Sequence, residues 1–332
     1  MRELTLLRRI ALAAFVLCFG VVVLGAYVRL SAAGLGCPDW PGCYGHLTPT
    51  GAVASGAAES GRYAGTEISV GKAWKEMIHR YAAATLGLLI VIIAALTIQY
   101  RRIRGVSMAF GVGLLTLVVA QGVLGMLTVT WQLKPLIVTG HLLLGFATLS
   151  ALCWLALRLY RPRRDSVPGS GMTALAALAL LVVVAQVMLG GWTSSNYAAT
   201  ACPDFPACQG AWWPQADFAE GFIPWRGLGI NYEGGVLPQL ARVAIQFAHR
   251  LGAVVTTLLL LYVGYRILAA RRTSDRLREA SWAMLAALAL QLVIGSLMVL
   301  RGFPLWLATA HNAVAALLLL SVVLLNHSAR HP

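Results

Sequence analysis

Eight long apolar runs constrain this chain more than any other feature of its sequence. Each is about 20 residues long, which is enough for a helix to cross the hydrocarbon core of a bilayer. Because lipid offers no partner for backbone N–H and C=O groups, such runs must form helices. The predicted spans are 10–30, 79–98, 107–130, 136–157, 172–193, 243–268, 281–300 and 304–326. The sequence therefore predicts an all-α membrane protein with eight transmembrane helices.

The charged residues are few and unevenly distributed. They make up 11% of the 332 residues, against about 25% in soluble domains. If the N-terminus is cytoplasmic, the cytoplasmic segments hold 16 of the 26 basic residues and only four of the 12 acidic ones. This positive-inside bias predicts both termini in the cytoplasm and two long external loops, 31–78 and 194–242. Because the sequence shows no transit-peptide character, we expect the membrane to be a bacterial inner membrane. The net charge of +14 alone would suggest a nucleic-acid partner, but its uneven distribution indicates a lipid bilayer as partner and no nucleic acid.

The chain consists of two similar halves. The motif Cys-Pro-Asp-Trp-Pro-Gly-Cys at 37–43 recurs as Cys-Pro-Asp-Phe-Pro-Ala-Cys at 202–208. Glu-Met-Ile-His-Arg at 76–80 recurs as Gln-Phe-Ala-His-Arg at 246–250, at a slightly larger offset. Each half has four spans, so both halves enter the membrane from the same side. We therefore expect two tandem four-helix bundles in a parallel repeat, an N-terminal one at 1–165 and a C-terminal one at 166–332.

Four histidines occupy matched positions in the two halves. His79 and His141 lie early in the second and fourth spans, and His249 and His311 early in the sixth and eighth. The second and fourth helices of an up-down bundle are diagonal neighbours, and two imidazoles on facing helices can hold a haem iron. A zinc site and simple packing histidines are the alternatives. Three other histidines lack a repeat partner and are interpreted as surface residues: His46, His327 and His331.

Arginines and glycines accompany these histidines. Arg80 and Arg250 directly follow the first histidine of each half, where a cation could bind a haem propionate or anchor the helix at the membrane interface. A pattern of glutamine followed four residues later by glycine recurs in three spans. We interpret these glycines as sites of close helix packing. The three pairs are Gln121 with Gly125, Gln186 with Gly190, and Gln291 with Gly295.

Together these features resemble the haem a synthase family over nearly the whole chain. The resemblance rests on Glu76-x-x-His79-Arg80, on the three later histidines, on the cysteine pairs and on the duplication. It implies an oxidoreductase that oxidises the C8 methyl of haem o to a formyl group, giving haem a. It also implies haem o synthase and terminal oxidase assembly as partners, while the sequence does not identify the electron donor.

The resemblance assigns different roles to the two halves. It implies that His249 and His311 hold the iron of a haem b cofactor in the C-terminal half. It implies that His79 and His141 bind the substrate haem o in the N-terminal half, with Glu76 as a catalytic residue. A carboxylate beside the substrate could relay protons. The alternatives for Glu76 are a salt bridge with Lys72 or Arg80, or a helix-start carboxylate favoured by the helix dipole.

The four loop cysteines are expected to form two local disulfides. Five residues separate Cys37 from Cys43 and Cys202 from Cys208, and both pairs lie in loops predicted to be external, where disulfides persist. A thiol pair that cycles during catalysis or haem transfer is the alternative. The other two cysteines lie within spans and are expected to be free: Cys18 and Cys153.

Two other functions remain open, a membrane electron carrier with two haems and a haem transporter. The halves differ at polar positions although they keep all four histidines. Glu76 corresponds to Gln246, and Arg29 corresponds to Ser194. Such asymmetry favours one substrate site and one cofactor site over two equivalent electron-transfer haems.

Overall fold

The computed structural model describes residues 3–59, 61–103, 106–160, 170–271 and 273–330, and within them it is helical with no strand. Eight of the described helices are long and apolar enough to cross a membrane, as predicted. These eight are α1 (Glu3–Leu30), α3 (Val70–Gln99), α4 (Met108–Thr130), α5 (Pro135–Tyr160), α6 (Ser170–Ser195), α8 (Gln239–Leu268), α9 (Asp275–Leu300) and α10 (Leu305–Arg330). Two short helices lie in the long loops, α2 (Pro49–Ala54) and α7 (Phe218–Gly221).

The second spanning helix begins much earlier than its apolar run. The sequence predicts a start at His79, whereas α3 begins at Val70. Its first turns carry Lys72, Lys75 and Glu76, so hydropathy detects only the apolar part of a longer helix. Glu76 is therefore the seventh residue of α3, and the predicted alternative of a helix-start carboxylate is wrong because the dipole effect is confined to the first turn.

The spanning helices pack as two rings of four. In the first ring α1 contacts α3 and α5, and α4 contacts the same two helices; in the second, α6 contacts α8 and α10, and α9 contacts these two. The helices α3 and α5 are thus diagonal partners, as are α8 and α10. The rings meet where α5 contacts α6 and α10 contacts both α1 and α5. This packing is consistent with the predicted tandem bundles, whose boundary at residues 165 and 166 lies outside the described residues.

Small residues allow neighbouring helices to approach each other in the rings. A Cβ atom on Gly111 of α4 would lie 1.9 Å from the Thr97 hydroxyl oxygen of α3 and 3.3 Å from the Ala94 Cα. Only glycine fits at this contact, as expected where helices associate by close packing and not by hydrophobic exclusion. The surrounding interior is a single apolar core that runs through both rings.

The histidine near the end of the last helix is buried. The sequence predicts a surface position for His327, but its side chain is only 3% exposed and its ring meets Trp154 edge-on at 5.2 Å. The expectation fails because α10 continues beyond the predicted span to Arg330 and is the helix of the second ring that packs against the first. His46 is half-buried in the first long loop, with its Nε2 2.7 Å from the Ser55 hydroxyl, and His331 lies outside the described residues.

The first cysteine motif forms a tight disulfide-closed loop against α3. Cys37 and Cys43 are joined, and both are fully buried. Within the loop the Asp39 carboxylate accepts hydrogen bonds from the backbone N–H groups of Tyr44 and Gly45, at 2.6 and 2.8 Å. The predicted disulfide is therefore present, in a loop that its own aspartate stabilises.

The second motif repeats this arrangement. Cys202 and Cys208 are joined, and the Asp204 carboxylate accepts hydrogen bonds from Gln209 and Gly210, again at 2.6 and 2.8 Å. The backbone hydrogen bond from Gly210, together with that from Gln209, lowers the pKa of Asp204. This contribution to loop stability is present above the ordinary pKa of an aspartate and is lost as the pH falls through the lowered one.

Alkylation of the unreduced protein should label two of its six cysteines. Cys18 is buried in α1 and Cys153 is half-buried in α5, and both are free thiols, whereas the other four are paired. Mass spectrometry after denaturation in the presence of the alkylating reagent, with and without prior reduction, measures this. Labelling of all six without reduction would contradict the structural disulfides and support a thiol pair that cycles.

Candidate haem-binding site

The four repeated histidines lie at matched depth on diagonal helices. We call the end of the molecule that carries the long loops the loop face; α3, α5, α8 and α10 all begin there. Their histidines are six to ten residues into these helices, which places them roughly 9–15 Å below the helix starts. His79 and His141 thus belong to facing helices of the first ring, and His249 and His311 to facing helices of the second. Each ring therefore offers one pair of imidazoles.

Each imidazole lies against a glycine of the preceding spanning helix. A Cβ atom built on Gly125 or Gly190 would lie 3.2 Å from the Cε1 atom of the neighbouring ring, and one on Gly295 would lie 3.0 Å from it. The neighbouring rings are those of His141, His249 and His311, in that order. The interpretation of these glycines as helix-packing sites was therefore incomplete, because they make room for imidazole rings.

A fourth glycine completes the set, and the sequence analysis missed it. A Cβ atom on Gly25 of α1 would lie 2.9 Å from the Cε1 atom of His79. No glutamine precedes Gly25 by four residues, so the pattern that marked the other three is absent. The repeat itself carries the missing signal, because the offset that relates the two cysteine motifs also places Gly25 opposite Gly190.

Filling one of these glycine positions should displace a histidine. We expect Gly125→Val to push the ring of His141 aside and to lower haem retention in the N-terminal half by about 10-fold or more, as a displaced ligand weakens metal binding. Gly122→Val on the same helix is the matched control, because nothing lies within 4 Å of its Cβ position. Absorption spectra and pigment analysis of the purified variants measure the difference. Equal haem content in the two variants would show that the space beside His141 is unimportant.

Glu76 is buried and bonded on both carboxylate oxygens. The residue is only 4% exposed to solvent. Its Oε1 accepts a hydrogen bond from Arg80 Nη2 at 2.5 Å, forming a salt bridge, and its Oε2 accepts one from the backbone N–H of Cys37 at 2.9 Å. Of the alternatives for Glu76, the structure thus contains the salt bridge with Arg80. The carboxylate connects the helix of His79 to the first disulfide loop.

Both arginines that follow a histidine bind loop carbonyls. Arg80 Nη1 donates to the carbonyls of Asp39 and Gly42, at 2.9 and 2.5 Å. Arg250 donates to the carbonyls of Cys202 and Ala207, at 2.9 and 2.6 Å. Each guanidinium therefore fixes a disulfide loop beside a histidine helix. Propionate binding by either arginine stays a prediction.

The two disulfide loops differ in the residue that lies at the position of Glu76. Gln246 replaces Glu76 in the second half, is also 4% exposed, and its Oε1 has no hydrogen-bond partner in the described part of the chain. Arg250 therefore has no carboxylate partner on its own helix comparable with Glu76. The charged pair that holds the first loop is replaced in the second by an uncharged amide.

The second long loop also covers part of the first half. Lys134, in the turn between α4 and α5, is 2% exposed and donates a hydrogen bond to the carbonyl of Gly227. Its ammonium lies 3.6 Å from the centre of the Trp225 ring, and the backbone N–H of Tyr232 donates to the Gln132 carbonyl at 3.0 Å. Residues of the second half thus cover part of the first ring at the loop face.

Arg29 joins the halves at the same level. Its guanidinium donates to the backbone carbonyl of Ser194 at 2.6 Å and lies 4.1 Å from the centre of the Tyr197 ring. Ser194 is the residue that matches Arg29 in the repeat. The divergence noted in the sequence therefore occurs at a contact between corresponding positions of the two halves.

The residues of both sites fit a haem. Ring nitrogens of His79, His141 and His311 are buried without a hydrogen-bond partner in the described chain, which is costly unless a ligand or metal engages the ring. The described residues contain no group of three or more His, Cys, Asp or Glu side chains that could hold a metal ion. A pair of imidazoles in an apolar bundle, with glycines beside the rings, suits a planar metallo-porphyrin, which supplies its other iron ligands itself.

Known proteins are similar to this sequence over nearly its whole length. The family model described as Cytochrome oxidase assembly protein (COX15-CtaA) matches residues 8–323. A Heme A synthase of Shewanella oneidensis is 44% identical to this chain, covering 99% of the chain and 97% of that protein. Proteins with the same name from Erythrobacter litoralis and Paracoccus denitrificans are 28% and 27% identical, covering 93% and 96% of this chain and 92% and 86% of their own. The chain therefore belongs to the haem a synthase family of cytochrome oxidase assembly proteins.

Proposed function

We propose that this protein is a membrane oxidoreductase that converts haem o to haem a by oxidising the C8 methyl to a formyl group. The observation that carries the proposal is the combination of a repeated histidine pair with an unrepeated acid. Both rings keep two diagonal imidazoles, but in the described chain only the first places a buried carboxylate, Glu76, one turn from a histidine. Family membership at 44% identity to a Heme A synthase supports the same reaction.

The two halves then carry different haems. The C-terminal half, 166–332, would hold haem b as cofactor through His249 and His311. The N-terminal half, 1–165, would bind haem o through His79 and His141. The neutral Gln246 in the one half and the acid Glu76 in the other support this division, because an electron-transfer haem needs no proton relay at its edge.

The protein's own residues would hold and orient the two haems and exclude water. A bound haem b would supply electron transfer, and the four histidines would fix the two porphyrins in the apolar interior. The contacts of Lys134 with Trp225 and Gly227 cover part of the first ring, and this cover would limit the access of water to the substrate half. Once the methyl carbon carries two hydroxyl groups, Glu76 would accept the proton of one hydroxyl at one carboxylate oxygen and return it to the other hydroxyl, which leaves as water, while Arg80 holds the second carboxylate oxygen. Such general acid–base assistance contributes roughly 100- to 10,000-fold in rate.

We also propose a location and partners. The protein would lie in a bacterial inner membrane with both termini in the cytoplasm and the loop face outside, which agrees with the charge bias and with disulfides in both long loops. Haem o synthase would supply the substrate and a terminal oxidase under assembly would receive the product.

Expression with and without a supply of haem o tests the function. Pigments are extracted from the purified protein and separated by chromatography. We expect haem a to accumulate only when haem o is supplied, and haem b to be present in both cases. Recovery of unchanged haem o under aerobic conditions with reductant would favour a transporter, and recovery of haem b alone at both sites would favour an electron carrier.

A further inference from the structure

Three of the four histidines share one kind of polar neighbour. The amide nitrogen of Gln186 lies 3.1 Å from Nδ1 of His249, and that of Gln291 lies 3.2 Å from Nε2 of His311. The amide nitrogen of Gln121 is 3.5 Å from Nε2 of His141, and it donates to the carbonyl of that residue at 2.9 Å. Each glutamine lies one helical turn before the glycine that faces the same ring. Glutamine and glycine therefore form one cradle for each of these imidazoles.

The cradle of His79 lacks the glutamine. The residue four positions before Gly25 is Val21, which corresponds to Gln186 at the same repeat offset that relates Gly25 to Gly190. Val21 is 9% exposed and belongs to the apolar core. The Nδ1 atom of His79 is buried without a hydrogen-bond partner among the described residues, as is that of His141 and His311, but those two rings have a glutamine amide beside Nε2. One histidine of the substrate half is thus less supported than the other three.

The chemistry of an imidazole ligand makes this difference consequential. When iron takes the lone pair of one ring nitrogen, the other nitrogen carries a proton and needs an acceptor, which orients the ring and strengthens the bond to the metal. The side-chain oxygens of the three glutamines are buried beside the rings without a partner in the described chain. Because an amide presents an oxygen on one side and nitrogen on the other, rotating it would bring that free oxygen to the protonated ring nitrogen. For Gln121 and Gln186 the rotation would also give up the hydrogen bond that the amide nitrogen donates to the histidine carbonyl.

We propose that Gln121, Gln186 and Gln291 are positioning residues for the iron-binding histidines, and that His79, opposite Val21, is the exchangeable ligand of the substrate haem. This inference rests on the proposed function, because it requires a haem between each histidine pair. His249 and His311 would then both stay bound to the iron of the C-terminal half. Release of His79 would free an iron position beside α3, the helix that carries Glu76, and would also allow substrate to enter and product to leave.

A reciprocal exchange of the two matched residues tests this. Val21→Gln supplies the missing amide, and Gln186→Val removes its counterpart. Carbon monoxide is the probe, because it binds ferrous haem only where an axial position is open or its ligand is displaced. We expect Val21→Gln to lower the affinity of the N-terminal haem for carbon monoxide by about 10-fold. We expect Gln186→Val to raise the affinity of the C-terminal haem b for carbon monoxide by about 10-fold.

Methionine variants are the matched controls, because methionine has nearly the size of glutamine but no amide. Val21→Met should bind carbon monoxide as the unaltered protein does, and Gln186→Met should behave as Gln186→Val. The haem b spectrum of the C-terminal half reports whether the Val21 variants fold, and if they do not, the Gln186 pair alone decides. Pigment chromatography identifies which haem each protein carries.

Two results would overturn the inference. One is a C-terminal haem that stays unreactive in both Gln186 variants, and the other is an N-terminal haem whose carbon monoxide binding is unchanged by Val21→Gln in a folded protein. Failure of the proposed function gives a different result, because pigment chromatography of the unaltered protein would then show no haem a when haem o is supplied, before any residue is replaced.

Discussion

We expect Glu76→Gln to lower the yield of haem a by roughly 100-fold or more, the usual contribution of a positioned acid–base group. The amide keeps the size of the side chain and can accept a hydrogen bond from Cys37, but it cannot take up a proton. Its charge partner Arg80 keeps its bonds to the carbonyls of the first disulfide loop. The variant should therefore fold, bind haem o and leave haem o or a hydroxylated form of it as the main pigment.

Two measurements separate a chemical role from a structural one. Gln246→Glu is the matched control, since it places an acid at the corresponding buried position of the other half and should leave haem a formation intact if it folds. Alkylation of the unreduced Glu76→Gln protein reports on the first disulfide loop. Near-normal haem a from Glu76→Gln would make the salt bridge with Arg80 the whole role of this residue. Loss of haem o binding together with loss of the disulfide would lead to the same conclusion.

Replacing either histidine of the C-terminal pair by leucine should remove the low-spin haem b spectrum. Leucine fills much of the space of the imidazole but offers no ligand, so His249→Leu and His311→Leu each leave the iron with at most one protein ligand. Because Gly190 and Gly295 accommodate the rings, the change does not crowd the preceding helices. Absorption and electron paramagnetic resonance spectra of the purified proteins measure the loss.

A histidine outside both pairs provides the control for these variants. His46 lies in the first long loop, where its ring contacts the Ser55 hydroxyl. His46→Leu should keep the complete haem b spectrum and the haem content of the unaltered protein. An unchanged low-spin spectrum in both His249→Leu and His311→Leu would mean that the iron ligands lie elsewhere in the chain.

Hydropathy and repetition predict those features that depend on pattern alone. The eight spans follow from the apolar runs, and the matched depth of His79 and His249 follows from the repeat. The cysteine pairs follow from their short spacing in polar loops. Each of these features depends on the residues of one short stretch, or of one stretch and its repeat, and it can therefore be predicted directly from the sequence.

Features that arise between distant segments could not be predicted in this way. The early start of α3 is hidden because its first turns are polar and lie beyond the apolar run. The contact of Gly25 with His79 joins two helices, and a glycine beside an imidazole has the same sequence signature as one beside another backbone. The burial of Lys134 depends on Trp225 and Gly227, which belong to the other half of the chain; a lysine in a short loop otherwise indicates solvent exposure.

The central position of α10 has a consequence for how the protein is synthesised. Of the eight spanning helices it is the last to be synthesised, yet it contacts α1 and α5 of the first ring as well as α6 and α9 of its own. The four spanning helices of the first ring can associate as soon as they are inserted, but until α10 is inserted the face of α1 and α5 that it covers would rest against lipid or a chaperone. Nascent chains that stop before 305 would therefore lack His311 of the second histidine pair and also leave the first ring unsupported on one side. Quality control in the membrane would encounter both halves as incomplete at the same moment.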